Sequence, residues 1–113
     1  MKKGKPWKEK LDFNYNGVEV YTDKYPVTDG HLLFVPDKAT DCQIRCALDA
    51  AWDYGSKRVA SGDWEAFNIG MNYGKAAGQT VEYPHIHLIP RTEGDMDEPA
   101  GGVRGVIPSK QKY

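Results

Sequence analysis

Two of the three histidines in this 113-residue chain stand one residue apart, at His85 and His87. They lie in the stretch GQTVEYPHIHLIPR, from Gly78 to Arg91. On an extended strand, side chains two apart share a face. His85 and His87 are therefore expected as neighbours, with Tyr83 on the same face and Ile86 and Leu88 turned into a core. Three readings fit that pattern. A half-exposed strand can carry polar residues with no function, since histidine is of intermediate burial. Neutral imidazoles bind zinc, and His31 would complete a set with His85 and His87. A neutral imidazole can also attack phosphorus, splitting one hard displacement into two through a covalent intermediate.

The segment just upstream separates the two chemical readings. A phosphate site must hold anionic oxygens with backbone N–H groups, amides and hydroxyls. AAGQT offers a glycine that admits close backbone approach, then an amide and a hydroxyl. A zinc site needs no such loop, so the loop favours phosphate chemistry.

These residues must be positioned by the rest of the chain. Asn16-Gly17 signals a hairpin turn between LDFNY and VEVYT, two short runs with strand-like alternation. HLLFVP, ended by Pro36, reads as a buried strand. Ile44, Ala47, Leu48, Ala51 and Trp52 then form an apolar helical stripe. Thr40 with Gln43 fits a capping box at its start, and the helix is expected to run to Val59, with SGD ending it. WEAFNIGMN reads as a strand with Trp64, Ala66 and Asn68 on one face. TVEYPHIHLIP reads as another, with Pro84 implying an edge position or a bulge. The expected class is α+β: about five antiparallel strands packed by one main helix, as a single domain over 1–113. Residues 92–113 read as a loop-like tail, and 1–10 as a flexible basic start.

The ordered blocks resemble the histidine triad (HIT) family of nucleotide hydrolases and transferases. The family pattern, His-φ-His-φ-His-φ-φ after Gly-Gln-Ser/Thr, aligns with GQTVEYPHIHLIPR without a gap if Tyr83 takes the first histidine's place. YTDKYPVTDGHLLFVP, FNIGMN and GGVRGVIPSKQKY resemble further family blocks, so the likeness covers residues 18 to 113. The resemblance implies His85 as the nucleophile that attacks the α-phosphorus, and His87 as the residue contacting the phosphate and assisting the leaving group. It implies that Asn72, Gly78, Gln79 and Thr80 line the phosphate pocket, that His31 stands close to it, and that Asp23 meets the ribose hydroxyls. Turn chemistry alone would also explain an aspartate or asparagine at 23 and 72. The implied substrates are purine nucleotide derivatives, dinucleoside polyphosphates or nucleoside phosphoramidates. No cofactor or protein-bound metal is implied, and a homodimer is.

Tyr83 departs from the family pattern. The family nucleophile is oriented by the backbone carbonyl of the first triad residue, and tyrosine keeps a carbonyl. An imidazole is lost there, and a phenol with a reference pKa near 10 relays protons poorly at neutral pH. A nucleotide-binding protein with weak or no turnover is therefore the alternative function. A slipped register that puts His85 in the first place is the alternative alignment.

Composition excludes other classes. The net charge of −1 argues against a general nucleic-acid binder, although MKKGKPWKEK carries five lysines against one glutamate. No run approaches the roughly 18 apolar residues of a membrane helix, and the start lacks a signal-peptide core, so a cytoplasmic protein is expected. Cys42 and Cys46, spaced i and i+4, read as buried or half-buried thiols rather than a disulfide.

Overall fold

The computed structural model describes Lys5, Trp7 and residues 11–113. Its centre is a five-stranded antiparallel sheet. The strands are β1 (Phe13–Tyr15), β2 (Val18–Thr22), β3 (Leu32–Val35), β4 (Ala66–Gly70) and β5 (Ile86–Arg91), in spatial order β1-β2-β3-β5-β4. One helix, α1 (Asp41–Ala60), covers one face. The expected α+β architecture is the observed one. The β1–β2 turn forms at Asn16-Gly17 because both residues take positive φ, 52° and 82°, which suits the twist of a two-residue hairpin.

Register divides the sheet into two faces. Phe34 pairs with Val20 and Ile86, and Leu32 with Leu88. These side chains meet Ala47, Ala50 and Ala51 of α1 in the main core. The alternate residues Tyr21, Leu33 and His87 are cross-strand partners on the other face. There Tyr21, Leu33 and Val35 join Tyr83 in a second, smaller core, against which Trp7 and Leu11 pack. The site face therefore has its own apolar foundation.

α1 starts where its cap predicts. Thr40 is extended, and its side chain accepts from the Gln43 N–H. The helix approaches the sheet through small residues, Ala47, Ala50, Ala51 and Gly55. The Phe67 ring lies so near Gly55 that an added Cβ would sit 3.0 Å from it. This rotation leaves Ile44 and Leu48 half-buried and Trp52 57% exposed, so the expected stripe is only partly the buried face. Cys42 and Cys46 are exposed, not buried: the same rotation turns them to solvent. Trp64 lies outside β4 and packs on Tyr54 and Phe67 on the helix side, not with Ala66 and Asn68.

The strand expected over Thr80–Pro90 begins only at Ile86. β5 is a central strand, paired to β3 and β4, so Pro84 marks the approach to the strand and not an edge. Of the basic start expected to be flexible, residues 1–4, 6 and 8–10 lie outside the described residues. The ammonium of Lys5 lies 3.1 Å from Glu19 and 3.4 Å from Asp37. No helix among the described residues is long and apolar enough to cross a membrane.

Candidate active site

His87 is on β5 and His85 immediately precedes it, while Ile86 between them is fully buried. The two imidazoles have ring centroids 5.1 Å apart. They open on a cavity of about 490 Å³ whose lining includes Asp23, Asn72, Gly78, Gln79 and Thr80, together with Trp7 and Leu33. Residues named from four separated stretches of sequence thus meet at one place. His31 sits behind them, 2% exposed, against His87.

Backbone groups decide which nitrogens carry protons. A carbonyl only accepts, and the Tyr83 carbonyl lies 2.9 Å from His85 Nδ1. His85 Nδ1 therefore donates, and its Nε2 presents a lone pair. A backbone N–H only donates, and Val27 N–H donates to His31 Nδ1 at 3.0 Å. His31 then carries its proton on Nε2, which lies 2.9 Å from His87 Nδ1 and 3.4 Å from Asp23 Oδ2. His87 accepts at Nδ1 and keeps its own proton on Nε2. One ring has a free lone pair and its neighbour has a free donor, which is the pairing needed to attack phosphorus while gripping one of its oxygens.

Burial holds the histidine pair neutral. Burial pushes the pKa of His31 below 6.5 against the pull of Asp23. Burial, then His85 and His31, push His87 down, again opposed by Asp23. The unfolded chain takes up these protons at higher pH than the folded one. The pair's contribution to stability is thus complete above about pH 6.5 and is lost as pH falls below it. The urea midpoint is expected to drop between pH 7.5 and pH 5.5, and a flat midpoint would refute this reading.

The loop residues divide their work. Gly78 has φ 92°, a left-handed conformation that favours glycine, and the space beside it is open. Gln79 lines the cavity, but its amide is committed to the loop. Its Oε1 accepts from Gly74 N–H at 2.7 Å, and its Nε2 donates to the carbonyls of Val81 and Glu82. Asp23 makes the local turn that its residue type favours, and it also lines the cavity. One oxygen accepts from Tyr25 N–H at 2.8 Å, a local turn, and the other faces the histidine pair. Arg91 is held by Asp95 through two nitrogens and by Asn68 through a third, which places its guanidinium outside the cavity lining.

The Tyr83 side chain does not join the histidines. Its hydroxyl lies 2.8 Å from the Pro36 carbonyl and 2.9 Å from the Asp37 carbonyl, within the second core. Only its backbone carbonyl serves His85. Tyr83→Phe would remove the single proton that the two carbonyls share and cost roughly 1–3 kcal/mol of stability. Chemical denaturation should show that loss while the His85 tautomer, read by ¹⁵N NMR, stays unchanged. A neutral substitution would show the hydroxyl to be idle.

Trp7 is a cavity residue that sequence reasoning missed, as are Lys24 and Leu33. Its indole stacks on Tyr21 at 6.0 Å and stands edge-on to His85 at 5.2 Å. It lies far from the motif in sequence and within a lysine-rich stretch, so no local pattern marks it.

The zinc reading named His31, His85 and His87. Among the described residues the group that could offer three ligand atoms within 4.8 Å is instead Asp23, His31 and His87. These residues do not fit a resident metal. His31 Nε2 carries the proton that Val27 N–H enforces, and that proton already occupies His87 Nδ1. Metal ligation requires bare nitrogens.

The model of the HIT domain matches residues 8–94. The chain belongs to the HIT domain family. Among similar proteins, an uncharacterized HIT-like protein of Methanocaldococcus jannaschii is 32% identical over 92 residues, covering 76% of this chain and 71% of the relative. A bis(5'-adenosyl)-triphosphatase of Dictyostelium discoideum is 34% identical over 79 residues, 64% of this chain and 53% of the enzyme. An adenylylsulfatase of Arabidopsis thaliana is 33% identical over 81 residues, 65% of this chain and 41% of the enzyme. The HIT chain thus spans about half or less of those two enzymes. A zinc-bound histidine triad family protein from Mycobacterium smegmatis superposes with a TM-score of 0.65 at 26% identity, covering 74% of this chain and 66% of that one. A HIT family protein from Bacillus anthracis gives 0.61 at 27% identity, covering 75% and 65%.

Proposed function

We propose that this HIT protein is a nucleotide hydrolase or transferase that acts at the α-phosphate of a purine nucleotide derivative, such as a dinucleoside polyphosphate or a nucleoside phosphoramidate. The observation that carries this reading is the tautomer pair: a lone pair on His85 Nε2 beside a proton on His87 Nε2, in a cavity lined by Gly78, Gln79 and Thr80.

His85 Nε2 attacks the α-phosphorus, and the bond to the leaving group breaks with its electron pair leaving on that group. Water then displaces His85 and releases a nucleoside monophosphate. His87 Nε2–H, Asn72, Thr80 and the backbone at Gly78 hold the phosphate oxygens, and Gln79 keeps the loop in shape. Asp23 receives the ribose hydroxyls, and Trp7 offers an aromatic wall for the base. The relatives that cleave adenosine polyphosphates and adenylyl sulfate support reaction at this phosphorus. A second reading, nucleotide binding without turnover, is motivated by Tyr83. The geometry favours turnover, because the phenol lies in the second core and its carbonyl still orients His85. A homodimer is proposed from the resemblance.

The test is rapid quenching of protein and α-labelled nucleotide into alkaline denaturant, where a phosphorus–nitrogen bond to histidine survives. Label on the peptide that contains His85 is expected. Steady release of nucleoside monophosphate with no such label in the pre-steady state would overturn the covalent route.

A further inference from the structure

A single hydrogen bond sets the tautomer of His85. The Tyr83 carbonyl lies 2.9 Å from Nδ1, and the ring is half-buried at the edge of the cavity. A ring held at one atom can still rock, and water in the cavity competes for both the carbonyl and the N–H. A nucleophile needs a tighter hold, because a displacement of about 1 Å can cost on the order of a hundredfold in rate.

Trp7 supplies a second contact. Its ring centroid lies 5.2 Å from that of His85 at an interplanar angle of 68°, and 6.3 Å from that of Tyr83 at 83°. Both are edge-on contacts within the range that aromatic pairs favour. Trp7 therefore meets both residues that make the hydrogen bond, and a ring against both partners leaves water less room to compete for it. Among the described residues the other ring against His85 is His87, which is itself tied to His31.

The indole is held in turn. It stacks on Tyr21 at 6.0 Å and 24°. The Tyr21 hydroxyl donates to Glu19 Oε1 at 2.9 Å, and the Lys5 ammonium reaches the same oxygen at 3.1 Å. The Tyr83 hydroxyl is fixed by the Pro36 and Asp37 carbonyls, and Lys5 also reaches the Asp37 carboxylate. The two tyrosines that meet the indole are thus anchored at their far ends. Lys5, two positions before Trp7, is paired with Glu19 and Asp37, residues that take part in both anchors.

We propose that Trp7 is a positioning residue for the nucleophile: it holds the His85 ring against the Tyr83 carbonyl, with Tyr21 and Tyr83 as its seat. Its effect on the rate rests on the His85 chemistry of the preceding section. The Tyr83 side chain, which departs from the family pattern, then acts on His85 through packing and not through a proton. This role is separate from that of a wall for the base, which alters substrate affinity and leaves the His85 ring as it is.

The experiment uses the full chain and its Trp7→Ala, Trp7→Leu and Trp7→Phe variants. Imidazole ¹⁵N NMR is read first, without substrate. The parent should show one His85 tautomer, with the proton on Nδ1. Trp7→Ala should show an exchanging mixture of tautomers, and Trp7→Phe should restore the parental signal. Trp7→Leu keeps apolar bulk on the second core should alanine cost the fold, and its shorter side chain should give the same mixture. A single parental tautomer in a folded alanine or leucine variant would overturn the proposal. Formation of the phosphorus–nitrogen bond on His85 is then timed with adenosine 5′-phosphoramidate and with ribose 5′-phosphoramidate, which has no base. A roughly tenfold or greater fall in the saturating rate is expected for both compounds in Trp7→Ala, with most of it regained in Trp7→Phe. A loss confined to the adenosine compound and to its KM would make Trp7 a wall for the base only, and the positioning role would fall. If the parent labels His85 with neither compound, the hydrolase reading fails, while the NMR outcome still decides whether Trp7 holds the ring.

Discussion

Replacing His85 with alanine is expected to lower the rate of nucleoside monophosphate release by on the order of a thousandfold or more, the scale seen when a nucleophile is removed. The reasoning starts from one hydrogen bond. Nδ1 of His85 is 2.9 Å from the Tyr83 carbonyl, so Nε2 is the atom with an available lone pair. No second side chain duplicates it: His87 keeps its proton on Nε2, and His31 is buried behind it. Nucleotide affinity should change little, because the cavity keeps Asp23, Asn72, Thr80, Trp7 and Leu33. The outcome is thus a fall in kcat with a binding constant, from calorimetry, within a few-fold of the parent. A His85→Ala protein with parental turnover of diadenosine polyphosphates and adenosine phosphoramidate would refute the assignment.

Phe34→Ala should produce the largest loss of stability, about 3–5 kcal/mol. Phe34 is fully buried on β3, between Val20 and Ile86, and its ring lies 6.0 Å from that of Tyr54. Truncation removes an aromatic ring from the place where sheet and helix meet, and close-packed neighbours refill such a space only in part. A fall in Tm of roughly 10–20 °C is expected for a chain of this size. A shift of under 2 °C would show that the core collapses around the gap. The same strand supplies Leu33, directly opposite His87. Nucleotide binding in the surviving folded fraction would report whether the two faces of β3 are mechanically linked.

Local signals in the sequence were sufficient for several elements. Asn16-Gly17 specified a hairpin because two adjacent positive φ values suit few other pairs. Thr40 marked the start of α1 because its side chain satisfies an otherwise unpaired N–H. The alternation of His85, Ile86, His87 and Leu88 put Ile86 and Leu88 in the core and both histidines at the cavity, although His85 lies just ahead of the strand. Failures arose where tertiary packing decided the outcome. The helix rotated toward alanine and glycine, which allow close approach to the sheet, and left Trp52 and both cysteines outside. Trp7 reached the site through its stack on Tyr21, a contact across a sequence gap that has no periodicity. Tyr83 looked like a participant because it shares the alternation of the histidines. Its hydroxyl found two carbonyls at the end of β3 instead.

The Val27 amide has a consequence for how far the turn between β2 and β3 can vary. The Nδ1 of His31 is held bare by the backbone N–H of Val27, not by the side chain at position 27. The side chains of Tyr25 and Val27 are 80% and 70% exposed. Position 27 should therefore accept many amino acids without changing the tautomers of His31 and His87. Proline is the exception. It lacks the hydrogen that His31 accepts, so its arrival would let both rings exchange tautomers although every side chain of the histidine cluster was retained.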